Sequence, residues 1–322
     1  MSDREGDIAM TTGQGAAGPG TVLGIDWGTT NRRAYVLDAQ GRVVREHSDA
    51  QGILAVGAGN FPASLQALMA TLGLEAADVV MSGMVGSRSG WKQVPYLDLL
   101  QPIAHLPEAL VEIAPPPGMD GVRCRIVPGY CIVDESGTPD VMRGEETQIY
   151  GAMIEGGGDG WYLLPGTHSK WVQVEDGHVR AIVTFMTGEL FALLSERGSL
   201  AAVVKESAGA ADVQEAFEAA LRVAQREGFT HAAFGCRALV VTDTMPAAHA
   251  ASYLSGLLIG AEIAGIRQRS GGMPRGTVQI VGSPKLAARY EAALQFFDMP
   301  SRAWAPDRVY LDALRRLAGL SA

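Results

Sequence analysis

The chain has 322 residues, a length that at about 150 residues per domain argues for two domains and against a single small binding module. Its formal charge is −9 and its basic residues are scattered, so the concentrated phosphate contacts of a nucleic-acid binder are missing. Apolar residues at 47% against charged residues at 19% exclude a disordered chain.

Residues 1–20 are polar and Gly-rich and read as a disordered N-terminal extension. From Thr21 to Ile25 the run TVLGI reads as a buried strand. Asp26-Trp27-Gly28-Thr29-Thr30 breaks it, AYVLD resumes strand character, and Asp38 to Gly41 turns the chain into a third strand, RVV. A helix is expected near Pro62 to Gly73, then a buried strand over Asp78 to Met81 that runs into Ser82-Gly83-Met84-Val85-Gly86. After a loop at Pro115 to Gly118 comes the strand run CRIVPGYCIV. Arg143 to Glu155 reads as a helix, and the glycines from Gly156 to Gly160 as a linker, which sets a first lobe over 21–155 and a second over 156–322.

The second lobe repeats the opening of the first about 138 residues on, with WYLL, the break from Pro165 to Lys170, WVQV, the turn at Glu175 to Gly177, and HVRAIV. Helices are expected after Thr187-Gly188-Glu189, over Asp212 to Gly228 and over Ala247 to Arg269. The strand TVQIV then leads through Gly282-Ser283-Pro284 into another helix, the frame in which a nucleotide sits at the carboxyl edge of a sheet. Cys124, Cys131 and Cys236 show no C-x-x-C spacing, which argues against a zinc knuckle or a disulfide framework and suits a cytoplasmic location. The apolar stretch near Leu254 to Ile266 is too short to span a bilayer and contains Glu262, so no membrane partner is expected.

One such hairpin alone signals only a sheet; two, each with a Gly-Thr tip, imply two lobes presenting amides and hydroxyls to one phosphate-bearing ligand. Gly28, Thr29 and Thr30 form one tip, and Gly166, Thr167, His168 and Ser169 the other. Phosphoryl transfer also asks for a metal-binding carboxylate and a base for the acceptor hydroxyl. Asp26 is the candidate for Mg²⁺, and the repeat is asymmetric here, because Leu164 stands at the matching position. No G-x-x-x-x-G-K-[ST] occurs and no G-x-G-x-x-G opens a helix, which argues against P-loop and dinucleotide readings. His168 beside Ser169 lacks a G-x-S-x-G elbow, which argues against a hydrolase.

GIDWGTT and PGTHSKW resemble the two phosphate motifs of the actin/hexokinase-type ATPase superfamily. More closely, GIDWGTTNRRAYVLD, MSGMVGSRSGW, MRGEETQIYGA, LPGTHSKWV, FMTGELFALL and YLSGLLIGAEI resemble the 2-dehydro-3-deoxygalactonokinase family, over nearly all of residues 21–300. The resemblance implies an α/β chain of two similar lobes of ribonuclease H-like type, with a nucleotide cleft between them. It implies transfer of the γ-phosphate of ATP, with Mg²⁺, to the 6-hydroxyl of a 2-keto-3-deoxy sugar acid. Asp26, Gly28, Thr29 and Thr30 then fall at metal and phosphates, Gly166, Thr167 and His168 opposite them, and Gly282, Ser283 and Lys285 at the adenosine. Related sugar kinases carry their base where G-D-Q-Q or N-D-A-N opens a helix. Gly144-Glu145-Glu146-Thr147 stands there in this chain, making Glu145 the first candidate, with Glu146 and Asp140 as alternatives. Both glutamates would also simply favour the helix dipole.

Arg143, together with Arg88 and Trp91 in the loop after Ser82, is the candidate set for the substrate carboxylate and pocket. The rivals are a kinase of another sugar, amino sugar or polyol, and a nucleotide-gated binding protein without an acceptor. The expected partners are ATP and a small sugar acid, and self-association into a homo-oligomer stays open.

Overall fold

The computed structural model describes residues 20–134, 136–207, 209, 211–270 and 274–320, so the expected extension, apart from Gly20, lies outside the described residues. The chain forms two compact units. The first runs to Gly158 and regains Asp176–Val179 and the chain from Pro306 onward, and the second comprises Asp159–Glu175 and Arg180–Ala305.

Unit one opens on β1 (Val22–Trp27), β2 (Arg32–Leu37) and β3 (Val43–Asp49), an antiparallel meander. It continues with α1 (Ile53–Val56), α2 (Phe61–Thr71), β4 (Ala77–Gly83), β5 (Val111–Ile113) and β6 (Val122–Ile126). These strands form one sheet in the order β3-β2-β1-β4-β6-β5, in which β4 is parallel to β1 and β6 parallel to β4. Central β1 is buried along its length, with Asp26 alone keeping partial exposure, as expected of a strand covered on both faces, while edge strand β3 is half exposed. CRIVPGYCIV divides between two sheets: β6 stays in the main one, and β7 (Tyr130–Val133) pairs with β8 (Pro139–Met142) in a separate hairpin. Pro128 offers no N–H to a ladder, and a Cβ at Gly129 would lie 2.2 Å from the Met142 carbonyl oxygen, so the chain breaks here. The helix α3 (Glu145–Ile154) follows.

Unit two repeats the plan with β9 (Gly160–Leu164), β10 (Ser169–Glu175) and β11 (His178–Phe185). Four helices, α4 (Thr187–Glu196), α5 (Gly198–Val204), α6 (Gln214–Ala224) and α7 (Phe229–Val241), precede the long α8 (Ala250–Arg269). Then come β12 (Val278–Val281), α9 (Pro284–Phe296) and β13 (Ser301–Trp304). The sheet order is β11-β10-β9-β12-β13, with β9 and β10 antiparallel and β12 parallel to both β9 and β13. A three-stranded meander extended by parallel strands therefore occurs twice, so each unit holds one copy of the same sheet plan.

The final helix, α10 (Pro306–Leu317), belongs to unit one, so the second lobe is not the continuous stretch 156–322 that sequence suggested. Glycine at position 24 of β1 decides this. A Cβ there would lie 2.2 Å from Leu314, so the bare strand is what lets α10 lie against the sheet. Arg125, paired with Asp78 at 2.5 Å, donates to the Leu317 carbonyl at 3.2 Å and fixes the helix end.

Candidate active site

In unit one the chemistry gathers at the carboxyl ends of β1 and β4. The turn after β1 is backed by α1: the N–H groups of Gly52, Ile53 and Leu54 donate to the carbonyls of Thr30, Gly28 and Thr29 at 3.0, 3.0 and 3.2 Å. That leaves Thr29 and Thr30 exposed at the tip. A Cβ at Gly52 would meet the Thr30 carbonyl carbon at 2.3 Å, so this close backing requires glycine.

Two further glycines bring α3 to the same edge. Gly83 (φ +86) and Gly144 (φ +112) adopt left-handed backbone, and a Cβ on Gly144 would stand 3.1 Å from the Gly83 Cα. Glu145 thereby opens α3 close enough for its charge to bear on Asp26. Burial pushes the Asp26 pKa up to about 6, partly opposed by Arg33 and reinforced by the negative charges of Glu145 and Asp307. Asp307 itself accepts from Tyr35 at 2.9 Å and from Arg33 at 3.4 Å. Such hard oxygen donors suit Mg²⁺, and a divalent cation would offset the charge that makes Asp26 costly to ionise. Among the described residues no group of three or more His, Cys, Asp or Glu side chains could hold a metal ion.

The three candidate bases part company. Glu145 is half buried, and its carboxylate accepts from the Arg143 N–H at 2.8 Å. Glu146 is fully buried and accepts from the Gly144 N–H at 2.7 Å; burial first, then the charge of Glu145, drives its pKa to about 8. A carboxyl protonated at neutral pH cannot accept a proton, so Glu146 is a poor base. Asp140 sits on β8, where it accepts from the Val141 N–H at 2.8 Å.

Because the Glu146 pKa rises on folding from 4.5 to about 8, its contribution to stability is present below pH 4.5 and is lost as pH rises through 8. Glu146→Gln is therefore expected to flatten the fall of Tm between about pH 5 and 8, since each unit of pKa shift is worth about 1.4 kcal/mol at most. Thermal melts across that range check this; an unchanged Tm profile would contradict it.

Arg143 extends from the residue before Gly144 into the loop that follows β4. Its Nη2 donates to the Val94 carbonyl at 3.1 Å and its guanidinium lies 4.8 Å from the centre of the Tyr96 ring, but Nη1 is buried with no hydrogen-bond partner. A Cβ on Gly86 would come within 2.9 Å of that Nη1, so this glycine makes the room it occupies. The Oγ of Ser87, next along, is also buried without a partner. Leaving such groups unsatisfied costs about 1–3 kcal/mol each, more for a charged one, so both call for a polar partner beyond the protein's own side chains. Arg88 is exposed on the same loop, and Trp91 packs against the core of unit one.

In unit two a cavity of about 570 Å³ lies among α4, α8 and α9, a volume suited to a nucleoside. Gly166, Thr167 and Lys285 line it, as does Arg289, one helical turn beyond Lys285 on α9. The hairpin tip is backed much as in unit one: the Glu189 N–H donates to the Thr167 carbonyl at 2.9 Å, and a Cβ at Gly188 would stand 2.3 Å from the Gly166 carbonyl oxygen. His168 is exposed and pairs with Glu189 at 2.7 Å.

Ser169 departs from expectation: its Oγ is turned into the protein and donates to the buried Glu262 at 2.7 Å, because β10 alternates inward at that position. Gly282 is a packing glycine, where a Cβ would lie 2.9 Å from the Pro165 ring, and Ser283 stands exposed at the start of α9. Arg289 was missed in the sequence, although its i+4 spacing from Lys285 places both on one face of a helix. It pairs with Asp212 at 2.9 Å and donates to the Ser255 hydroxyl at 2.8 Å.

The chain is similar along most of its length to known proteins. A family described as 2-keto-3-deoxy-galactonokinase matches residues 26–317. The "Probable 2-dehydro-3-deoxygalactonokinase DgoK1" of Rhizobium meliloti (strain 1021) is 36% identical over 311 residues, covering 94% of this chain and 96% of that protein. A 2-dehydro-3-deoxygalactonokinase of Escherichia coli (strain K12) is 35% identical over 298 residues, covering 92% and 97%. A crystal structure from Sinorhizobium meliloti, of a protein described as a candidate 2-dehydro-3-deoxygalactonokinase, superposes with a TM-score of 0.84 at 34% identity, covering 92% of this chain and 98% of that one. With the match beginning at Asp26 near the end of β1 and ending on the last residue of α10, the chain belongs to the 2-keto-3-deoxy-galactonokinase family.

Proposed function

We propose that the protein transfers the γ-phosphate of ATP to the 6-hydroxyl of 2-dehydro-3-deoxy-D-galactonate. The observation that carries this reading is the buried, unpartnered Nη1 of Arg143 in the unit that also holds Asp26 and Glu145. A carboxylate-bearing sugar offers that guanidinium an oppositely charged acceptor, whereas an uncharged sugar offers only neutral hydroxyl or carbonyl oxygens and leaves the charge unpaired. The second unit takes the nucleoside in its cavity, with Lys285 on the wall and the Gly166-Thr167 turn available to phosphate oxygens.

Within this scheme Glu145 takes the proton of the 6-hydroxyl as its oxygen attacks phosphorus, and the bond to the ADP leaving group breaks. Asp26 would hold Mg²⁺, and the ion, when bound, would supply neutralisation of charge on the phosphates. Thr29 and Thr30 contribute hydroxyls at the same edge. His168 stays at the rim of the second tip, paired with Glu189. The three free cysteines suit the reducing cytoplasm we assign as its compartment, and no described helix is long and apolar enough to cross a membrane.

ADP release measured in a coupled assay tests the reading. It is expected with 2-dehydro-3-deoxygalactonate and to be far weaker with glucose or glycerol, whereas equal efficiency with the neutral acceptors would sink it. Arg143→Met is expected to raise the KM for the sugar acid about 10- to 100-fold, the worth of a hydrogen-bonded charge pair, with kcat much less affected. Arg143→Met kinetics with an unchanged KM would remove Arg143 from the pocket.

A further inference from the structure

Glu262 on α8 is buried to 1% exposure, yet it lies on no edge where ATP phosphates or a sugar would meet it. Its carboxylate is saturated by four donors. Oε1 accepts from the Ser169 hydroxyl and the Trp171 indole N–H, both at 2.7 Å, and Oε2 from the Tyr290 hydroxyl at 2.7 Å and the Thr187 hydroxyl. Those donors come from β10, from the first residue of α4 and from α9. Thr187 and Tyr290 are also on the cavity wall, and Ser169 follows the phosphate turn directly. Packing alone would not select this arrangement, since a buried charge with four oriented donors is costly to assemble and specifies one geometry when complete.

We propose that Glu262 is a positioning residue for nucleotide binding, tying the second phosphate turn, the start of α4 and α9 to α8 so that the cavity keeps the shape that fits a nucleoside. The assignment rests on reading that cavity as the nucleotide site. Glu262→Gln keeps the shape but supplies one acceptor oxygen and an NH₂. Because the Trp171 N–H can only donate, the amide oxygen must stay on its side, and the NH₂ then faces the hydroxyls of Thr187 and Tyr290, which must reorient on the cavity wall.

The test uses the purified full-length chain, with Mg·ATP affinity measured by calorimetry without acceptor and the KM for the sugar acid measured at saturating ATP. Glu262→Gln is expected to weaken ATP about tenfold or more while the sugar-acid KM stays within about twofold, a split that general destabilisation would not produce. Ser169→Ala removes one donor away from the cavity and is expected to weaken ATP about threefold, with no further loss when combined with Glu262→Gln. An ATP affinity within about twofold of the wild type in Glu262→Gln, or additive losses in the double variant, overturns the assignment. Should Glu262→Gln fail to fold, Ser169→Ala and Trp171→Phe carry the same comparison, and unchanged ATP affinity in both overturns it. Ala192→Trp fills the cavity without touching Glu262. If it leaves ATP binding intact, the nucleotide reading itself falls and the positioning role with it, whereas weakened ATP in Ala192→Trp alone removes only the role of Glu262.

Discussion

Asp26→Asn is expected to lower turnover by at least about 10²-fold while raising the Tm of the unliganded protein at neutral pH. The two effects share one cause. Burial, with Glu145 and Asp307 nearby, lifts the Asp26 pKa from 3.8 to about 6, so ionising it inside the fold is unfavourable. For a group whose pKa rises on folding, the stabilising contribution is present below pH 3.8 and is lost as pH climbs through 6. Asparagine carries no such penalty, so the gain in Tm should appear above pH 6 and vanish near pH 4. The same substitution removes the charge that holds hydrated Mg²⁺, and it should depress sugar phosphorylation and slow ATP hydrolysis alike. Differential scanning calorimetry at both pH values, alongside steady-state kinetics, reads this directly. A variant that keeps near wild-type turnover would remove Asp26 from the metal site, and a Tm unchanged at pH 8 would contradict the burial argument.

Glu145→Gln should fail in a different manner. Its amide oxygen can still accept from the Arg143 N–H, so the start of α3 is preserved, but it cannot take a proton from the acceptor hydroxyl. Turnover is expected to fall about 10²- to 10⁴-fold, the usual worth of a positioned base, with Mg·ATP affinity nearly intact. The partner measurement is Glu146→Gln, which removes a carboxyl whose pKa of about 8 keeps it protonated at neutral pH, and which should therefore retain much more activity. If the order of the two variants is reversed, the base is Glu146 and burial has tuned it for use at higher pH. Near wild-type turnover in both would send the search to Asp140 on β8.

These contrasts depend on features of unequal visibility in the chain. Continuous apolar and β-branched runs ended by glycine breaks located β1, β2, β4, β9, β10 and β12, and the repeated Gly-Thr turn implied two lobes of one plan, because strand preference and turn sterics act over a few residues. The positions of Asp26, interrupting an otherwise apolar strand, and of Glu145, opening a helix after glycine, were legible for the same reason. What neighbours a residue across the fold was not. The place of α10 is set by its packing over Gly24, a contact 290 residues away in sequence that no periodicity records. Ser169 sits in a phosphate-like motif, yet the inward face of β10 and the buried Glu262 on a distant helix claim its hydroxyl. The residues Glu145 and Glu146 are adjacent and chemically identical in the sequence. Only the tertiary structure separates them, by leaving one half exposed beside Asp26 and enclosing the other, since desolvation is a property of the packed surroundings and not of the local chain.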